Sequence, residues 1–144
     1  MTLPDKQRAE IVTLRFDNAH QALDDAACML ERKSFRAAMN RCYYAAFYAA
    51  SASALNDNRT FRKHSGLISY FHAEYIKPGL LDRKLGRILQ VAFDNRSEAD
   101  YQDVVRFTRD DVQAAIEQAE EFVRQIEAYV NTQTVTQSKL NDRQ

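Results

Sequence analysis

Apolar residues recur at steps of three and four along most of this chain, the period of a helix with one buried face. Val12, Phe16, Ala19, Leu23, Ala26 and Leu30 make one such stripe. It predicts a first helix from about Pro4 to about Glu31, with Pro4 suited to the first turn. The next segment, SFRAAMNRCYYAAFYAASASAL, starts at Ser34, a good N-cap. From Cys42 to Ala50 it is apolar or aromatic all round, so this second helix has no solvent face and is expected at the centre. Asn56-Asp57-Asn58 ends it. A third, shorter helix is expected from about Lys63 to Ile76, capped by Thr60 or Ser65, with Leu67, Ile68, Phe71 and Tyr75 inward. Lys77-Pro78-Gly79 stops it, because proline cannot continue a helix and glycine accepts the left-handed cap. Leu85, Ile88, Leu89, Ala92 and Phe93 predict a fourth helix from about Asp82 to about Arg96, and Gly86 within it marks close packing. Residues 97–107 read as a linker. Thr108 is expected to cap a fifth helix, with Asp110 and Asp111 at its positive end and a face of Val112, Ala115, Ile116, Ala119, Phe122, Val123, Ile126 and Val130.

Four long helices and one shorter one predict an all-α fold, an antiparallel up-and-down bundle of five helices over residues 1–131. The polar stretch 132–144 is expected to be a disordered tail. The composition agrees: of 144 residues only three are Gly and two Pro, too few turn residues for a β-sandwich. No apolar run approaches the roughly 20 residues that span a bilayer, and the N-terminus lacks the apolar core of a signal peptide, so a cytoplasmic location is expected. Cys28 and Cys42 lie in apolar stretches without metal-ligand spacing and are expected to be buried, reduced thiols. No zinc pattern, phosphate-binding loop, dinucleotide fingerprint or nucleophile elbow is present, and no cofactor or metal is expected.

Charge changes the picture more than composition does. Twenty basic and twenty acidic residues cancel, which argues against a uniformly basic nucleic-acid binder. Residues 59–96 nevertheless carry eight basic against three acidic side chains, and residues 97–130 three against nine. The basic middle is either a phosphate-binding face or one partner of an attraction with the acidic last helix.

Several motifs stand in a recognisable order: Asn40-Arg41-x-Tyr43-Tyr44-Ala45-x-Phe47, His64-Ser65-Gly66, Leu85-Gly86-Arg87-x-Leu89, and Phe93-x-x-Arg96-x-x-Ala99-Asp100-Tyr101 before an acidic amphipathic helix. In these the chain resembles the HEPN superfamily over residues 8–130, most of all a small stand-alone bacterial and archaeal branch. The resemblance implies a helical bundle that pairs as a homodimer. It also implies metal-independent RNA cleavage by an Arg and a His four to six residues apart, just before the last long helix. Such domains often act as toxins beside a nucleotidyltransferase-fold antitoxin, which can transfer nucleotides to a Tyr two residues past the His. Here Arg96 matches the motif arginine, but Tyr101 occupies the histidine position and no His follows His72. A second Arg-x4-His, Arg59 to His64, opens the third helix and reads as chance spacing in a basic loop.

Cleavage through the 2′-hydroxyl needs a proton acceptor, a proton donor for the leaving oxygen and a cation for the phosphate. Arg96 supplies the cation through its forked guanidinium, and Asp100 and Tyr101 are the candidates for the proton. Tyr101 would be a poor base at its ordinary pKa of about 10. Otherwise Arg96, Asp100 and Tyr101 form a structural network that orients the last helix. Arg41, Tyr44 and Tyr48 share one helix face by their spacing, either as a cleft beside Arg96 that stacks a base or as a dimer interface or core edge. His64 at a helix start either meets phosphate or is simply exposed; His72 reads as structural and His20 as solvated. The function expected is that of an RNA-acting or RNA-binding toxin or defence module. The rivals are a non-catalytic nucleotide-, RNA- or partner-binding module and a toxin modified on tyrosine.

Overall fold

The computed structural model describes the backbone of residues 3–101 and 106–142, and within these the side chains of all but 98–101, 135–139 and 141–142. The helices are α1 (Asp5–Glu31), α2 (Phe35–Asn56), α3 (His64–Phe71), α4 (Arg83–Tyr101) and α5 (Arg109–Asp142), and a π turn over His72–Ile76 prolongs α3. The all-α bundle expected from the periodicity is what the chain forms.

α1 and α2 are joined by three residues, too few for anything but a hairpin. Lys33 takes a left-handed φ of 62°, and the Ser34 N–H donates to the Met29 carbonyl at 2.8 Å to close α1. Arg8 near the start of α1 reaches Asn58 beyond the end of α2 at 2.9 Å, and Arg15 reaches the Ser51 hydroxyl at 2.8 Å. Pairing an early residue with a late one at both levels fixes the two helices as antiparallel. Lys84 of α4 likewise meets Glu121 of α5 at 2.6 Å, so opposite charges of the basic middle and the acidic helix do attract within the fold.

α2 packs against α1, α3, α4 and α5, the central place that its continuous apolar surface demands. Ala38, Ala45, Ala46, Ala49, Ala50 and Ala52 are fully buried, and such small side chains let neighbouring backbones approach closely. Around them Phe71, Tyr75, Leu85, Leu89, Phe122 and Ile126 fill the main core, while Met39, Cys42, Val112 and Ile116 fill a second cluster toward the opposite end. Truncating a filled position such as Phe122 to Ala costs about 3–5 kcal/mol.

Helix ends depart from expectation in instructive ways. Pro4 caps α1 from outside, its carbonyl accepting from the Arg8 N–H at 2.9 Å. Ser34 holds the cap position of α2 without a side-chain hydrogen bond. Lys63 caps α3, not Thr60 or Ser65, and Ser65 lies inside the helix. α4 does not stop at Arg96: it continues to Tyr101 through part of the expected linker, because Ser97-Glu98-Ala99 contains no helix breaker. α5 continues past Asn131 to Asp142, with the Thr132 and Thr134 hydroxyls donating to the Ala128 and Val130 carbonyls. Its start is a capping box: the Asp111 N–H donates to the Thr108 hydroxyl at 3.1 Å, and the Thr108 N–H donates back to the Asp111 carboxylate at 2.9 Å.

The Lys77 N–H donates to the His72 carbonyl at 2.8 Å, the widened turn of a π bulge. It turns His72 toward α4, where a side chain at Gly86 would come within 2.8 Å of the imidazole. Glycine is thus required there by close approach. Cys42 is buried and its thiol is pushed up to about 12, first by burial and then by Glu120. Cys28 corrects the expectation of two buried thiols: it is exposed, on the solvent side of α1. No described helix is long and apolar enough to cross a membrane.

Candidate functional site

Three segments, α2, the start of α3 and α4, meet around Tyr43 and Tyr44 near the middle of α2. Tyr43 is buried on α2, and its ring is the floor on which the others rest. The Tyr44 ring lies edge-on at 5.3 Å between centroids, and Phe47 follows one turn on at 5.9 Å. The start of α3 then lays His64 against this surface, 4.2 Å from the Phe47 ring, 5.6 Å from Tyr43 and 6.0 Å from Tyr44. His64 Nδ1 is 2.8 Å from the Tyr43 hydroxyl. α4 brings Arg96 over the same two rings, its guanidinium carbon 5.4 Å from the Tyr43 centroid and 5.7 Å from that of Tyr44. One Arg96 N–H donates to the Tyr44 hydroxyl at 3.4 Å. From the other side Arg41 stacks on Tyr44 at 5.0 Å, and Tyr48 lies 6.0 Å from it.

Arg41, Tyr44, Tyr48 and Arg96 are therefore brought together around the Tyr44 ring. His64 meets them too. It is half-buried in the aromatic cluster, not the exposed side chain the sequence suggests. Arg59 goes elsewhere, stacking over Phe61 at 5.8 Å and Tyr70 at 5.2 Å, so the Arg59-x4-His64 spacing does not make a site. Asp100 and Tyr101 fall on the last turn of α4, and their side chains lie outside the described residues. His72 packs beneath Gly86, and His20 is paired with Glu127 at 3.0 Å on the surface. The association of His64 with Arg96 has no local signal in the sequence. Its one trace is that both flank aromatic stretches that must be buried together.

The electrostatics follow from a cation set in an aromatic bed. Burial is the larger influence on His64 and lowers its pKa from 6.5, and Arg96 lowers it further. Burial raises the Tyr43 hydroxyl well above the ordinary phenol range against the downward pull of Arg96, so Tyr43 stays protonated at any working pH. His64 is also the first residue of α3, at the end where helix N–H groups favour anions. Exposed Arg62 and Lys63 precede it. The arrangement combines a forked cation, a neutral imidazole and stacking rings, which suits phosphate together with a base. Among the described residues no three His, Cys, Asp or Glu side chains gather as metal ligands would.

Comparison with known proteins places the chain in a family. Residues 12–129 match the HEPN domain. A Thermotoga maritima protein named "UPF0332 protein" is 34% identical over 86% of this chain and 94% of its own length. Two Methanocaldococcus jannaschii proteins are also similar. One, named "Putative toxin MJ0605", is 34% identical over 83% of this chain and 87% of its own length. The other, named "Putative toxin MJ0142", is 24% identical over 89% and 92%. With a domain match over residues 12–129 and relatives aligned over most of their length, the chain belongs to the HEPN domain family.

Proposed function

We propose that this chain is a toxin-type HEPN protein that binds single-stranded RNA across α2, the start of α3 and α4, and cleaves it without a metal. The observation that carries the reading is the convergence of Arg96, Arg41 and His64 on the half-buried Tyr44 ring, beside Tyr48 and above buried Tyr43. Guanidinium groups neutralise phosphate, and tyrosine faces stack bases without demanding a sequence. The names of the two archaeal relatives support the toxin class. The working unit is a homodimer that sets two such sites together, held in check by a nucleotidyltransferase-fold antitoxin.

The test is incubation of purified protein with cellular RNA in EDTA, wild type beside Arg96→Ala. Cleavage that survives EDTA and disappears in the variant is expected. Equal background from both proteins contradicts the nuclease. Light scattering is expected to give a particle of twice the 16.6 kDa chain mass, and a monomer at micromolar concentration contradicts the dimer. A second reading, RNA binding without chemistry, is favoured by Tyr101 standing where the motif histidine is expected. Under that reading RNA binds, Arg96→Ala weakens it, and no cleavage is seen.

A further inference from the structure

We infer that His64, brought to Arg96 from a different helix, is the catalytic proton carrier of this site, and that the buried Tyr43 hydroxyl is its positioning partner. The inference rests on the RNA-cleaving reading above and supplies what that reading lacks, since the histidine position after Arg96 is held by Tyr101.

The geometry argues for it from three sides. First, His64 is anchored. Its ring is packed against Phe47 at 4.2 Å and held through Nδ1 by Tyr43 at 2.8 Å, so the imidazole has a fixed plane and a fixed outward nitrogen. Second, Nε2 has no hydrogen-bond partner among the described residues and is not among the buried unpaired polar atoms, whereas Nε2 of His72 is. His64 is thus half-buried with an Nε2 that no described residue holds, whereas Nε2 of His72 is sealed in. Third, the groups around His64 keep it neutral. Among the described residues, those facing it are Tyr43 and Tyr44 on α2 and Arg96 on α4, with Arg62 and Lys63 preceding it in its own segment. None of them is a carboxylate. A neutral imidazole is the form that accepts a proton. With the proton on Nδ1 donated to the Tyr43 hydroxyl oxygen, the Nε2 lone pair points outward. When Nε2 takes a second proton, the same hydrogen bond steadies the imidazolium.

The step balances without a co-reactant. His64 Nε2 takes the 2′-hydroxyl proton, and the 2′ oxygen forms its bond to phosphorus while Arg96 faces the phosphate oxygens. The bond from phosphorus to the 5′ oxygen breaks, and the imidazolium returns its proton to that oxygen. The products are a 2′,3′-cyclic phosphate end and a 5′-hydroxyl end. No water, metal or redox partner is consumed.

The experiment is the pH–rate profile for a short oligoribonucleotide in EDTA, with wild type, His64→Gln, Tyr43→Phe and Arg96→Ala, each checked for folding by circular dichroism. An NMR titration of the His64 ring accompanies it. His64→Gln is expected to lose about 100-fold or more in kcat with little change in KM, the usual weight of one general acid–base group. Wild type is expected to show an acid limb below pH 6.5, at the value the His64 ring titrates. Tyr43→Phe moves both to lower pH, because the imidazolium loses its acceptor. Arg96→Ala moves the ring titration to higher pH, because a neighbouring positive charge is gone. Cleavage retained within a few-fold by His64→Gln but lost in Arg96→Ala overturns the inference and leaves the nuclease standing. No cleavage by wild type overturns the nuclease and the inference with it. A His64 titration that ignores both Tyr43→Phe and Arg96→Ala overturns the arrangement whatever the activity.

Discussion

The bundle carries two tyrosine clusters of similar make and opposite sign. At the end of α2, Asp57 accepts hydrogen bonds from Tyr75 and, at 3.2 Å, from Tyr70, with Arg59 stacked on Tyr70 at 5.2 Å and Tyr129 against Tyr75 at 5.8 Å. On the α2 surface nearer its start, Tyr43 and Tyr44 lie under Arg96, with His64 alongside. A carboxylate organises the first cluster and a guanidinium the second. The consequences are opposite. After burial, Asp57 pushes Tyr70, Tyr75 and Tyr129 upward, and Tyr70 and Tyr75 donate their hydroxyls to it. After burial, Arg96 pushes His64 downward and so holds it ready to accept a proton. Aromatic residues around an anion tie the turn after α2 to the π turn. The same residues around a cation gather Arg96, Arg41 and His64 about the Tyr44 ring.

That contrast can be broken at either end. Arg96→Ala is expected to reduce RNA cleavage by about 100- to 1000-fold, the range for removing one donor to a charged transition state, while the melting temperature changes little. A large fall in stability with unchanged turnover would make the guanidinium cluster structural, like its counterpart. Tyr75→Phe is expected to do the reverse. Losing a buried hydroxyl's hydrogen bond to a carboxylate costs about 1.5–3 kcal/mol by denaturant titration, and RNA cleavage is unaffected. Arg41→Ala is expected to weaken RNA binding a few-fold and to lower the slope of log K against log salt by about 0.7, the share of one phosphate contact on a single strand. An unchanged slope would remove Arg41 from the binding face.

The smallest effect is on pH and stability. The folded pKa of His64 lies below that of the unfolded chain, so the unfolded state binds more protons as pH falls through 6.5. The neutral ring's contribution is fully present above 6.5 and is lost progressively below it. Melting curves at pH 5.5 and 8 are expected to differ less in His64→Gln than in wild type. An identical pH dependence would mean that His64 is not desolvated.

The sequence makes the helices legible because nearly every one has a stripe and a stop. α2 is central because its apolar surface goes all round, and Pro78-Gly79 and Asn58 end their segments by backbone geometry that few other residues allow. What escapes is whatever lacks a local period. Ser97–Tyr101 carries no stripe yet stays helical, since nothing in it breaks the helix already begun. The π turn at His72–Ile76 is invisible because it serves a contact with Gly86 of another helix. The site divides in the same way. Arg41, Tyr44 and Tyr48 are readable at steps of three and four, and Arg96 from the order of its motif. His64 is not, because its place beside Arg96 is made by packing on the Tyr43 and Phe47 rings, a tertiary fact.

The most direct measurement is an NMR titration of the protein with a short single-stranded RNA, following the ring signals of both clusters at once. Saturable shifts of Tyr43, Tyr44 and His64, with Tyr70 and Tyr75 unmoved, are the expected result. Shifts confined to Tyr70 and Tyr75, or none in either set at millimolar RNA, would contradict an RNA site built around Arg96.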